Sequence, residues 1–116
     1  MEENKLITLS MDFAVDIVNL CKDMKGITPL KDQLLRSGTS IGANIREANY
    51  AHGKPDFIAK LQIALKECYE TEYWLELFLK TDMVPDAAAM DLKNKSGTIR
   101  RILIASINTT KDNVAK

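Results

Sequence analysis

The chain has little of what interrupts a helix or builds a reactive centre. It holds three prolines and five glycines among its 116 residues, so punctuation is sparse and long helices are favoured. There is a single histidine, His52, beside Gly53 in a break between segments, where it reads as a loop residue. No glutamate is followed by histidine at the third position, so the Glu-x-x-His ligand pattern of di-iron bundles is missing. Glu67-x-x-Glu70 is the nearest approach, and that spacing is common on solvated helix faces. The two cysteines, Cys21 and Cys68, lie in apolar helical patterns and are not spaced as a ligand pair, which suits buried free thiols. Net charge is absent too: sixteen basic residues balance sixteen acidic ones, which argues against attachment to nucleic acid by bulk positive charge. No segment approaches the roughly 20 apolar residues of a membrane span. The opening "MEENKLITLSMDF" has neither a basic region nor an unbroken apolar run, so a cytoplasmic protein is expected. No catalytic set, metal site or cofactor is expected.

What is present is helical rhythm. From Lys5 to Met24, the residues Leu6, Leu9, Phe13, Ile17, Leu20 and Met24 recur at three- and four-residue steps and share one stripe. Gly26 then suits a left-handed cap, Thr28 an N-cap, and Pro29 the first turn of the next helix. Gly53 and Pro55 in "HGKPDF" make the next break. A third helix is expected from Pro55 to about Thr81, on a seam of Phe57, Leu61, Ala64, Cys68, Thr71, Leu75 and Phe78. "TDMVPD" ends it. The last helix should run from Pro85 to about Thr110 with Leu92, Ile99, Leu103 and Ile107 inward, followed by a frayed "KDNVAK" tail. No run alternates with period two, so strands find no support.

The stretch "RSGTSIGAN", residues 36–44, decides the helix count. As a helix it is costly: two interior glycines lose about 1 kcal/mol each relative to Ala, and with Ser, Thr and Asn the total reaches about 3 kcal/mol. As a loop it would end one short helix at Ser37-Gly38 and cap another at Thr39 or Ser40. Yet Leu30, Leu34, Ser37, Ile41, Asn44 or Ile45, and Ala48 hold one stripe straight through it, and a loop has no reason to keep that phase. The helical reading is preferred. Its compensation would be close approach of a neighbouring helix at Gly38, Gly42 and Ala43, with hydroxyls and an amide joining a buried polar network. Four helices with short breaks give an all-α, antiparallel up-down-up-down four-helix bundle, one domain over residues 1–116.

The run "SGTSIGANIREA" followed by "DFIAKLQIALKECYETEYWL" resembles the bacterial four-helix-bundle family that includes the 23S rRNA intervening-sequence proteins. The resemblance is close from about Leu30 to Leu79 and is by pattern outside it. It rests on Ser37, Ser40-Ile41, Asn44-Ile45 and Glu47, then on Asp56-Phe57, Ala64, Glu67 and "ETEYWL". Many relatives carry Ala, Gly and a downstream Arg in a region that here reads Arg46, Ala48 and Ala51. The resemblance implies a ring-shaped homopentamer. It also implies a role like that of a relative that is accessory to a retroelement reverse transcriptase, with nucleic acid on a basic surface.

Three sets of residues are candidates for function. Ser37, Ser40, Asn44 and Glu47 form a polar stripe facing Glu67 and Glu70, read as a structural network; the alternative is a carboxylate enzyme using Glu47 with Glu67 or Glu70. Tyr69, Tyr73, Trp74 and Leu77 widen the apolar surface of the third helix beyond one stripe, and are read as a subunit interface centred near Trp74. Lys93, Lys95, Arg100 and Arg101 give the last helix a net charge of plus two against Asp86 and Asp91, whereas the third helix between Pro55 and Leu79, with five acids and two lysines, carries minus three. Repeated around a ring, such a basic patch could hold RNA or DNA. The expected role is therefore a non-enzymatic, self-associating scaffold for RNA or an RNA-handling partner, with direct nucleic-acid binding as the alternative.

Overall fold

The computed structural model describes the backbone of residues 2–115 and the side chains of residues 5–113. Four helices account for nearly all of it: α1 (Glu2–Asp23), α2 (Thr28–Ala48), α3 (Lys54–Lys80) and α4 (Asp86–Ala115). The body is a rod of 50 × 20 × 19 Å, as expected when helices of 21 to 30 residues lie side by side. Met1 and Lys116, the ends of the expected domain, lie outside the described residues.

Local chemistry sets each break. Gly26 takes φ +137°, a conformation open to glycine. Ile27, not Thr28, occupies the cap position before α2, with extended backbone and no side-chain cap bond. Thr28 is already helical, and Pro29 follows it in the first turn. Gly53, at φ +108°, opens α3. The Asp56 carboxylate reaches back to accept the His52 backbone N–H at 3.2 Å, which gives the histidine segment a structural role. At the end of α3, Asp82 is left-handed, with φ +58°. The Met83 N–H donates to the Phe78 carbonyl at 2.9 Å and the Asp82 N–H to Leu79 at 3.3 Å, the two bonds of a Schellman cap. The tail expected to fray after Thr110 instead stays helical to Ala115; no proline or glycine follows Gly97 to stop it.

Packing follows chain order. α2 lies against α1 and α3, α4 lies against α3 and α1, and the diagonal pairs make no close backbone approach among the described residues. Directions alternate: Ile17 meets Gly38 while Ser10 meets Gly42, Ser37 meets Thr71 while Glu47 meets Lys60, and α3 returns to α4 within five residues. The centre is filled by Phe13, Ile17, Leu34, Ile41, Leu75, Phe78 and Leu103, all at most 1% exposed.

Residues 36–44 are helical without interruption. The reason lies on their α1 side. A Cβ on Gly38 would come to 2.8 Å from Ile17 Cγ1 and 2.9 Å from its Cγ2. One on Gly42 would lie 3.2 Å from Ser10 Oγ and 3.4 Å from the Ser10 carbonyl. The glycines let α1 sit closer than alanine would allow. Dispersion contacts from the buried Ile17 offset their poor helix propensity.

Candidate interaction surface

The polar stripe of α2 does not form one network. It divides into separate ties along the α2–α3 seam. In the buried centre, the Thr71 hydroxyl is 3.0 Å from Ser37 Oγ and 2.7 Å from the Glu67 carbonyl. Asn44 stays within its own helix, donating to the Ser40 carbonyl at 2.9 Å and Ser40 Oγ at 3.1 Å. Glu47, exposed, accepts from Lys60 at 3.0 Å. Arg36 organises the rest. Its guanidinium donates to Glu67 at 2.9 Å and also to Glu70, and Glu70 accepts the Trp74 indole N–H at 3.0 Å. Arg36 and Thr71 were not among the network residues read from sequence, because neither falls on the Ser37–Glu47 stripe of small polar side chains. Their signal was the spacing of 67, 70, 71 and 74 on one side of α3.

This arrangement holds the Glu70 carboxylate charged. Burial pushes the Glu70 carboxyl up, but the hydrogen bonds from Trp74 and Arg36 outweigh it, so its pKa falls below the usual glutamate value. Glu47 pairs with Lys60, and among the described residues no hydrogen bond joins it to Glu67 or Glu70. Among the described residues, no group of three or more His, Cys, Asp or Glu side chains is placed to hold a metal ion. Cys21 and Cys68 are free and buried. Burial is the main reason the Cys68 thiol is pushed up to about 12, and it raises Cys21 as well.

The aromatic set splits in two. Trp74 is committed within the chain: besides its bond to Glu70, it stacks on Phe78 with ring centroids 6.4 Å apart. Leu77 packs against the core, as do Ile58, Leu65 and Leu79. Much of the surplus apolar surface read on this helix is thus covered internally, since each helix of a square bundle packs against two neighbours and its flanking positions become half-buried. Tyr69 and Tyr73 remain, 54% and 58% exposed, one turn apart on the outer face of α3. Tyr73 is edge-on to Trp74 at 5.0 Å, and Tyr69 carries the Arg100 guanidinium 5.5 Å above its ring.

The four basic residues of α4 do not form one patch. Arg100 grips Glu72 through Nε at 3.0 Å and Nη2 at 3.2 Å, and Ser96 donates to the same carboxylate at 3.0 Å. That hydrogen bonding raises the pKa of Arg100 further. Lys95 bridges Asp16 at 2.9 Å and Asp91 at 3.0 Å on the opposite flank, toward α1. Among the described residues, Lys93 and Arg101 meet no carboxylate at ion-pair distance. Two cations serve the bundle, and the other two stand eight residues apart along the helix.

A second open feature lies between α1 and α2, on their outer side. It is a groove of about 280 Å³ floored by Ser10, Ala14, Gly42 and Ala43, with Met11 along one wall and Arg46 on the other. The same small residues that let α1 approach α2 leave this hollow in the surface. Val15, one turn from Met11, is also about half exposed.

The fold and its surface therefore define a helical-bundle protein whose distinctive features are an aromatic ridge and an apolar groove. No helix among the described residues is long and apolar enough to cross a membrane. The sequence matches the model of the 23S rRNA-intervening sequence protein family over residues 2–105, and the chain belongs to that family. It is also similar to a crystal structure from Bacteroides thetaiotaomicron VPI-5482, described as a protein with unknown function from the S23 ribosomal protein family. The two are 47% identical with a TM-score of 0.88, over 93% of this chain and 99% of that one. No curated protein matches the sequence.

Proposed function

We propose that this chain is a non-enzymatic, self-associating bundle that acts in the cytoplasm as a scaffold for an RNA-handling partner. The observation that carries the reading is the exposed pair Tyr69 and Tyr73 on the outer face of α3. Aromatic side chains of this kind are favoured anchors at interfaces. The link to RNA comes from the family's name and carries no weight from charge. With Lys95 and Arg100 tied to carboxylates, direct attachment to RNA or DNA through α4 has two free cations per chain, and the chain's net charge is zero. A carboxylate enzyme is disfavoured in turn, because Glu70 is held below its usual pKa, whereas proton transfer near neutrality needs a raised one.

The test is light scattering at micromolar concentration. A mass of several chains is expected, and monomer alone would overturn self-association. The homopentamer is the specific size proposed. In parallel, binding of structured RNA should be unchanged by Lys93→Glu with Arg101→Glu. A steep salt dependence abolished by those changes would instead favour the nucleic-acid-binding ring.

A further inference from the structure

We infer that the seam between α1 and α4 docks a basic amphipathic helix of the partner protein. The inference rests on the scaffold reading above and gives that partner its chemistry. Among the described residues, α1 and α4 make fewer close approaches than any other neighbouring pair of helices. Two hollows open along their seam, of about 250 and 270 Å³, and both have Asp16 and Lys95 in their walls. Together they form one furrow. Its floor is apolar: Leu9, Phe13 and Ile99 in one hollow, Leu20 and Leu92 in the other. From Asp12 to Asp23 it follows three turns of α1, about 16 Å at the rise of an α-helix. A helix laid along such a furrow sets side chains at three- and four-residue spacing onto the floor.

The walls say which kind of helix. Asp12, Asp16 and Asp23 on α1 and Asp91 on α4 line the hollows against Lys95 alone, a net charge of minus three. Lys5, Lys22 and Arg101 are exposed nearby but line neither hollow; Arg101 stands at the edge, donating to the Thr98 hydroxyl at 3.2 Å. Lys95 is held between Asp16 and Asp91. Asp12 and Asp23 are exposed and meet no cation at ion-pair distance among the described residues. Carboxylates flanking an apolar floor take a helix with aliphatic side chains on one face and lysine or arginine beside them. The other flank of α1 has the opposite character, since its groove carries Arg46 and no carboxylate. A second copy of this chain offers no matching helix: α4, the most basic, turns its apolar stripe of Leu92, Ile99, Leu103 and Ile107 into its own core. Proteins that handle RNA carry basic segments, because their ligand is a polyanion.

The probe is a short synthetic helix of leucine and lysine, its leucines at three- and four-residue spacing, labelled with fluorescein and read by anisotropy. It should bind the wild-type chain at micromolar concentration, and its counterpart with glutamate for lysine should not. Asp12→Lys with Asp23→Lys should weaken binding about tenfold or more. Asp32→Lys with Glu76→Lys changes the net charge equally on exposed positions of α2 and α3 and should leave binding unchanged. Ala88→Phe fills one hollow without altering charge and should also weaken binding, by about tenfold. Each variant should match the wild type in circular dichroism and in light scattering. If the lysine peptide fails to bind, or the two double variants weaken it alike, the inference is overturned. If Asp12→Lys with Asp23→Lys changes the mass, the seam is instead a contact between copies, and the inference falls while self-association stands. A monomeric wild type that binds the peptide through Asp12 and Asp23 removes self-association and keeps the furrow. Should Ala88→Phe misfold, the aspartate pair alone decides.

Discussion

The two sides of α2 hold their neighbours by opposite means. Toward α1 the seam is apolar and close: Gly38 and Gly42 carry no side chain, Ile17 fills the space, and the hydroxyls of Ser10 and Thr39 donate within their own helices, to Ile7 and Leu35. Toward α3 the seam is a series of polar ties, from Arg36 with Glu67 and Glu70, through Ser37 with Thr71, to Glu47 with Lys60. One nine-residue stretch, "RSGTSIGAN", serves both. Its glycines face one neighbour and its first serine faces the other. Close apolar contact is sensitive to volume, whereas polar ties are sensitive to partner loss and to pH. Each seam should therefore break differently.

The largest effect is expected on the α1 side. Gly38→Ala gains about 1 kcal/mol of helix propensity, but its Cβ would lie inside contact distance of both γ-carbons of Ile17. Overpacking of this kind costs about 1–3 kcal/mol. Because a β-branched side chain is stiff at χ1, Ile17 has no easy way to yield, and a net loss of about 1–2 kcal/mol follows. Gly42→Ala meets the movable Ser10 hydroxyl at 3.2 Å and should be near neutral. Denaturant unfolding measures both. In an Ile17→Ala background the Gly38→Ala cost should vanish; if it persists unchanged, closeness to Ile17 is not what the glycine supplies.

The α3 side should respond through its partners. Ser37→Ala or Thr71→Val alone should each cost about 1 kcal/mol, the usual worth of a buried neutral hydrogen bond. The double change should cost clearly less than the sum, because the second substitution removes the group that the first left unpaired. Strict additivity in thermal melts would mean that the 3.0 Å approach of the two hydroxyls contributes nothing, and the contrast between the seams would lose its polar half.

How much of this was legible beforehand follows from which forces act locally. Phase along one helix is local, so the stripe from Leu30 to Ala48 revealed a continuous α2 despite its glycines. The Schellman cap at Asp82 was hidden, because aspartate in a left-handed conformation leaves no glycine to mark it. The long helical tail was missed for the reverse reason: its polar residues suggested fraying, though nothing there breaks a helix. Partner choice is not local at all. Nothing along α2 singled out Arg36, which α3 supplies with Glu67 and Glu70 as partners. Lys95 and Arg100 looked like one patch until α1 and α3 claimed them from opposite flanks. The bond from the Trp74 N–H to Glu70 was equally invisible, although the two residues lie one turn apart. The groove depended on two helices meeting, and only its small residues were visible in the sequence.

The smallest expected effect concerns Glu70 and separates the seams by pH. Its folded pKa lies below the usual value of 4.5, so folding favours the charged form. That contribution is complete above the unfolded value and is lost as pH falls through the lower folded one. With Arg36 half exposed, solvent screening keeps it below about 1 kcal/mol. Glu70→Gln should therefore melt slightly lower than the wild type at pH 7, and the gap should close as the pH is taken below about 4. Gly38→Ala should show no such convergence, since no titrating group faces Gly38 from Ile17. A Glu70→Gln gap that widens in acid would mean that burial, rather than Arg36 and Trp74, governs this carboxylate. The polar seam would then be a liability that the apolar seam has to offset.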